Sequence, residues 1–410
     1  MSSLKILSVN KYHKLKGGSE TIFFGEMRAL IKAGHSVIPF SMHDTNNLPS
    51  EYSEFFVNTV DYEKPGLTNK LSAAGKILYS FEAKRKISAL LDKHPVDLAH
   101  LHIFQHQISP SILSPLRKNK IPVVASLHDL KPICGNYKMF AKGAICEKCK
   151  GGRHYQMALN RCNKGSFAAS LVNTMEMYLH GIAGFYDQID IFIAVSEFYR
   201  QKMIEFGFSP DKIVCLPSFV DASNFTPAPP SLVGEYMLYF GRLAEEKGIQ
   251  TFIKAAAINP NIEHIIVGTG PEETLLRDFV EINSITNVTF AGFQSGAKLT
   301  ELVSQSRAVV VPSEWYENSP LTVLEAMAYA RPVIGSDIGG IPELICDGND
   351  GLLFAAGNEH ELADRIQYLW AHGEVAHSMG VNGREKVISN YNCSSHLDGL
   401  LKIYAKAMRL

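Results

Sequence analysis

The sequence predicts an α/β protein built from two parallel-sheet domains, and three observations carry that prediction. The chain has 410 residues, 46% hydrophobic and 20% charged, a globular composition long enough for two or three domains. Short apolar, β-branched runs alternate with longer amphipathic stretches, the pattern of stacked strand–helix units. A Pro- and Ser-rich stretch, "DASNFTPAPPSLVGEY" (221–236), divides two such series.

Each strand is justified by its run of apolar residues. In the first series these are "KILSVN" (5–10), "HSVIPFS" (35–41), "DLAHLHI" (97–103), "IPVVASLH" (121–128) and "IFIAVS" (191–196). In the second they are "YMLYFG" (236–241), "EHIIVG" (263–268), "NVTFAG" (287–292), "AVVVPS" (308–313) and "RPVIGSD" (331–337). Domains are therefore expected at 1–218 and 219–393, with a Cys-rich insert at 132–165 and a terminal helix at 394–410.

Composition narrows the function. No apolar run of 18 or more residues spans a membrane, and "MSSLKILSVN" has too short an apolar stretch for a signal peptide. A cytoplasmic chain with reduced thiols is the expectation. The net charge of −1 hides an asymmetry: residues 1–218 carry 27 Lys+Arg against 18 Asp+Glu, and the remainder 13 against 23. The basic half calls for an anionic partner. Base-reading and aromatic-interleaved motifs are missing, which argues against nucleic acid. A solvated helix is the plain reading of "NKLSAAGKILYSFEAKRKISALLDKH" (69–94), with Lys70, Lys76, Lys84, Arg85 and Lys86. The sharper one is a peripheral contact with an anionic membrane on its inner face.

Three motifs in the second half carry chemistry. Arg242 and Lys247 follow the strand "YMLYFG", and strand C-termini in open α/β sheets are where ligands bind. A guanidinium and an ammonium there suit a diphosphate, although two solvated loop cations would read the same way. In "IIVGTGPEETLLRDF", Gly268 and Gly270 permit close backbone approach, with Pro271 near the first helical position. In "EWYENSPLTVLEAM" (314–327), Ser319 is the expected N-cap and Pro320 the first helical residue. The amides of Leu321 and Thr322 then face an anion site. Glu317 precedes that site, and Glu325 lies roughly 7.5 Å along the helix from Pro320. Carboxylates on both sides of an anion site suit hydroxyls flanking a diphosphate, as in a nucleotide-sugar. A capping Glu and a solvated helix Glu are the bland alternative.

"GRLAEEKG", "VGTGP" and the paired glutamates followed by "AMAYARPVIGSDIGGIPELI" and "DGLLF" together resemble the C-terminal half of family 4 glycosyltransferases. The resemblance implies the GT-B fold, two Rossmann-like domains facing across a cleft, and a retaining hexosyl transfer. It implies that Arg242 and Lys247 hold the donor diphosphate, Glu317 contacts the transferred sugar and Glu325 binds the ribose. The donor would be a UDP- or GDP-sugar and the acceptor a glycan or lipid-linked glycan of surface polysaccharide assembly. No cofactor is implied for catalysis. Same-face attack, with the leaving phosphate taking the acceptor proton, is the implied mechanism, because no carboxylate is assignable as a covalent nucleophile. The terminal helix would pack back on the first domain.

The first half resembles the family in "VNKYHKLKGGSETIFFGEMRALIKAGHSV", where Gly17 and Gly18 lead into a helix whose start can face a phosphate. No GxGxxG fingerprint is present, against a dinucleotide cofactor. Glu20 reads as a helix-dipole partner. His128, at the end of "VVASLH", matches the family histidine that contacts the donor sugar. His102 is either near an acceptor or a satisfied loop histidine, and Ser196 reads as a helix cap. Where relatives often carry Asn, this chain has Ser218.

Cys134, Cys146, Cys149 and Cys162 follow a C-x11-C-x2-C-x12-C spacing in a Gly- and Lys-rich segment. A structural zinc would fold such a segment, with an iron–sulfur cluster or plain thiols as alternatives. Cys215, Cys346 and Cys393 read as apolar fillers. Two other function classes stay open here: a GT-B sugar-nucleotide epimerase, and a non-catalytic glycan- or lipid-binding protein.

Overall fold

The computed structural model describes residues 3–59, 74–227 and 234–409. Lys70 of the basic segment lies outside the described residues. The chain divides into two compact units. One comprises Met1–Met139, Glu147–Leu216 and His396–Leu410; the other comprises Phe140–Cys146 and Pro217–Ser395.

The first unit is built on a six-stranded sheet: β1 (Lys5–Val9), β2 (Ser36–Phe40), β3 (Leu98–Leu101), β4 (Val123–Leu127), β7 (Ile191–Ala194) and β8 (Ile213–Cys215). Their order is β2-β1-β3-β4-β7-β8, and every pairing is parallel. Between β4 and β7 a short antiparallel hairpin joins β5 (Phe140–Ala141) to β6 (Ala144–Ile145). The second unit holds β9 (Tyr236–Phe240), β10 (Glu263–Val267), β11 (Val288–Gly292), β12 (Ala308–Val311), β13 (Val333–Ser336) and β14 (Gly351–Phe354). These run in the order β11-β10-β9-β12-β13-β14, again all parallel.

The ten expected strands all form. The expectation missed β8 and β14, both at the sheet edges; at four residues β14 is as long as β3, β7, β12 and β13, which were read, so its length does not explain the omission. The hairpin β5–β6, two residues per strand, is too short to show periodicity.

Why the strands are continuously apolar follows from their burial on both faces. In β9, Met237 and Tyr239 enter one core cluster while Leu238 and Phe240 enter the other. Helices Ile249–Ile258 and Glu359–Ala371 cover the first face; helix Leu321–Ala328 covers the second. The final helix, Cys393–Ala407, contributes Leu400, Ile403, Tyr404 and Ala407 to the core of the first unit. Its Tyr404 hydroxyl lies 2.8 Å from His100 Nδ1 on β3.

Candidate active site

Sheet order decides where the loops gather. In the second unit β9 lies between β10 and β12, so the chain's crossovers leave β9 in opposite directions. The gap above the C-terminal ends of β9 and β12 is the switch point where open α/β sheets bind ligands. Arg242 and Lys247 lie just past β9, and Ser313 to Glu317 just past β12.

Two of the expected residues meet there. Lys247 Nζ and Ser313 Oγ each donate to Glu317 Oε1 at 2.6 Å. Lys247 Nζ also lies 5.1 Å from the centre of the Trp315 ring. Burial alone would raise the Glu317 carboxyl; Lys247 and the Ser313 hydrogen bond outweigh it and hold the group below the ordinary carboxylate range. Arg242 is exposed at the mouth of the same loop, its carbonyl accepting from Tyr239 Oη at 2.8 Å.

Backbone packing fixes this arrangement. Gly248 has φ +66°, and a Cβ there would sit 1.8 Å from the Pro312 carbonyl oxygen. Only glycine lets the Lys247 turn rest against the β12 loop. Gly339 abuts Glu317 in the same way, and Gly340 N donates to Glu317 O at 2.8 Å. Gly268 and Gly270, read either as a ligand approach or as an ordinary strand–helix loop, pack against that loop's neighbours: their Cβ positions would fall 1.8 and 2.0 Å from the carbonyls of Gly241 and Leu243. Ser313, Trp315 and Gly339 were not singled out from sequence, since their roles depend on contacts between separate loops.

The helix start differs from the expectation. Helix Leu321–Ala328 has Pro320 at its N-cap, and no side chain caps it. Ser319 is therefore not the cap: its hydroxyl is buried without a hydrogen-bond partner, while its amide is taken by Asn318 Oδ1 at 2.6 Å. Pro320 in the extended conformation at ψ 116° places the Ser319 side chain out of reach of the first turn. The outcome for chemistry is unchanged, because the amides of Leu321 and Thr322 begin the helix without a side-chain acceptor. Glu325 is half-buried on this helix, and burial pushes its carboxyl up to about 7. Pro271 lies two residues before the helix Glu273–Ile282, near its first position as expected.

In the first unit the equivalent switch point lies between β1 and β3. Asn10, buried at the end of β1, accepts from Ile103 N at 3.2 Å and donates to Tyr12 O at 2.8 Å, joining the two loops. Gly17 is the N-cap and Gly18 the first residue of helix Gly18–Lys32, with no side-chain cap. Glu20 is buried in that first turn, and burial raises its carboxyl despite hydrogen bonds from Asn10 and Ser19.

His128 stands at the end of β4 with Nε2 2.9 Å from His102 Nδ1, the two rings stacked at 19°. Burial pushes His128 down to about 4 and His102 well below the ordinary value, so both are neutral imidazoles at neutral pH. Behind them, buried Glu26 meets His396 Nε2 at 2.9 Å and His100 Nδ1 at 3.4 Å. Glu26, His100 and His102 offer ligand atoms within 4.8 Å of one another, a metal-sized group in the core. Ser196 caps its helix, accepting from Tyr199 N at 3.2 Å.

The cysteine segment is anchored by a buried ion pair, Lys131 Nζ to Glu176 Oε2 at 2.7 Å, with Lys131 also donating to Gly135 O. Cys134 donates to Asn136 Oδ1 at 2.9 Å, and burial pushes its thiol up to about 11. Cys149 packs with Met157 and Met177, and Cys162 lies against the same cluster. Cys146 is half-buried just past β6.

The family model described as "Glycosyl transferases group 1" matches residues 230–386, and that described as "Glycosyltransferase Family 4" matches residues 16–224. The chain is 31% identical over 173 residues to alpha-D-kanosaminyltransferase of Streptomyces kanamyceticus, covering 41% of this chain and 45% of that protein. It is 27% identical over 216 residues to WcaL of Salmonella typhimurium, a glycosyltransferase named for colanic acid biosynthesis, covering 50% and 53%. The matched segments thus span about half the length of these curated relatives. Among solved structures, HepE of Anabaena in complex with UDP and glucose aligns over 98% of this chain and 100% of its own, with TM-score 0.70 and 16% identity. That likeness, with two parallel six-stranded sheets, shows the GT-B fold. The chain belongs to glycosyltransferase family 4.

Proposed function

We infer that this protein transfers a hexose-type sugar from a UDP- or GDP-sugar to a glycan or lipid-linked acceptor, with retention of anomeric configuration. The observation that carries the reading is the Lys247–Glu317 pair at the β9/β12 switch point, beside the uncapped start of helix Leu321–Ala328. Donor phosphates would draw on Arg242, Lys247 and the amides of Leu321 and Thr322, groups that stabilise charge as the leaving diphosphate separates. The bond from the sugar's anomeric carbon to the diphosphate oxygen breaks, and the acceptor oxygen bonds to the same face. The acceptor proton passes to the departing phosphate. Glu317 is assigned to the sugar, Glu325 to the ribose, and neutral His128 to a donor-sugar hydroxyl. HepE, solved with UDP and glucose, supports a nucleotide-sugar donor, and WcaL a polysaccharide acceptor.

The test is nucleotide release from UDP- and GDP-sugars with and without an added glycan acceptor. Release that needs the acceptor and is lost in Lys247→Ala supports the reading. Acceptor-independent epimerisation of the sugar would replace it.

A further inference from the structure

The helix Phe167–Ile182 is amphipathic the wrong way round. Its inward face buries Ser170, Asn173, Thr174, Glu176 and His180, alongside Met177. Its outward face exposes Phe167, Leu171, Met175, Tyr178, Leu179 and Ile182, the last 87% exposed. At 3.6 residues per turn these six fall within an arc of about 120°, along a helix roughly 24 Å long. A surface helix in water normally shows the reverse. The polar inner face is explained: Glu176 pairs with Lys131, Asn173 donates to Gly135 O, and His180 Nε2 lies 2.9 Å from Leu78 O. Among the described residues of the unit, the apolar outer face has no partner that accounts for it.

The patch extends at both ends. Tyr155 and Leu159, both exposed, flank it, and Tyr155 N donates to the Tyr178 hydroxyl at 3.3 Å. At the other end Phe185 lies 6.1 Å from the Tyr79 ring, which in turn contacts Phe81, 77% exposed. Contiguous apolar surface of this kind marks an interaction site.

Charge identifies the occupant. Across residues 147–187 the chain carries Lys148, Lys150, Arg153, Arg161 and Lys164 against Glu147, Glu176 and Asp187. Glu176 is buried and already ion-paired, so its charge does not offset theirs at the surface. Lys150 is bridged to Glu205, but Arg161 and Lys164 project from left-handed residues (φ 51° each) in the exposed turn before the helix. Exposed apolar side chains with flanking cations match an anionic bilayer surface, where acyl chains take the former and phosphates the latter. A second copy of this chain would bring the same uncompensated cations to the contact.

We propose that the outward face of helix Phe167–Ile182, with the Arg161–Lys164 turn, docks the protein on an anionic lipid surface. The docking stands on this face alone and does not depend on the transfer reaction. The patch meets the basic helix Phe81–Lys93 only at its first residue, Phe81.

Co-sedimentation of the purified full chain tests it, using vesicles of phosphatidylcholine alone or mixed equally with phosphatidylglycerol. Capture by the mixed vesicles at low salt is expected, falling roughly tenfold or more in both Leu171→Gln/Ile182→Gln and Arg161→Glu/Lys164→Glu. All four positions are exposed, so melting temperatures should match the parent. If mixed vesicles fail to capture the parent, or capture it equally in both variants, the proposal is overturned. A dimer in light scattering that Leu171→Gln/Ile182→Gln dissociates, without vesicle capture, assigns the face to a second copy and likewise overturns it.

Discussion

Glu317 is buried and accepts from both Lys247 and Ser313, so the two charges proposed to meet the donor also hold one another. Lys247→Ala should lower kcat roughly 100-fold or more, since it removes a fixed charge from the leaving group. It should also destabilise by about 1–3 kcal/mol, because Glu317 is left buried without its cation. Adding Glu317→Gln to Lys247→Ala should restore much of the stability and none of the activity. Melting curves and turnover on the three variants measure both. Glu325 gives a pH signature. The folded protein keeps its proton up to about pH 7, while the unfolded chain releases it near the ordinary 4.5. Stability contributed by the protonated form is therefore full below pH 4.5 and lost as pH rises through about 7. Glu325→Gln should raise the melting temperature above neutrality, leave it unchanged near pH 4, and weaken donor binding.

At the scale of elements, the site depends on loops packed backbone to backbone. Gly248 and Gly292 share φ +66°, but only Gly248 faces an obstacle, the Pro312 carbonyl. Gly292→Ala should cost about 1–2 kcal/mol, the left-handed penalty alone. Gly248→Ala should cost clearly more and impair turnover, because it pushes the Lys247 turn off the β12 loop. Denaturant titration of the two variants separates conformational strain from contact. Gly268 and Gly270 likewise pack against carbonyls of a neighbouring loop. A glycine advertises a close neighbour, yet the sequence does not say whether that neighbour is a ligand or another loop.

At the scale of the whole molecule, stabilisation by ligand should distinguish donors. A nucleotide-sugar present at 100 times its Kd adds about 2.7 kcal/mol to stability, so a thermal-shift series over UDP- and GDP-sugars ranks them. The spacing of Cys134, Cys146, Cys149 and Cys162 suggests a structural zinc, but among the described residues no three of their sulfur atoms come within 4.8 Å of one another; we propose the zinc on spacing alone, and elemental analysis should find about one metal per chain. Finding none would leave those residues as thiols. Among the described residues no helix is long and apolar enough to cross a membrane.

By itself the sequence determined what repeats locally. Ten strands were legible as apolar runs because strands buried on both faces must be apolar throughout, and the candidate site motifs follow strand ends. Edge strands β8 and β14 were not, although β14 is as long as four strands that were. Tertiary structure alone decided which ends share a switch point, bringing Lys247 to Glu317 across 70 positions of chain. It left Ser319 uncapping and buried, because the extended Pro320 sets the direction of the chain there. It also decided that helix Phe167–Ile182 turns its polar side inward. Periodicity reports that a helix has two faces, but only the buried partners, here Lys131 and Gly135, fix which one meets the core.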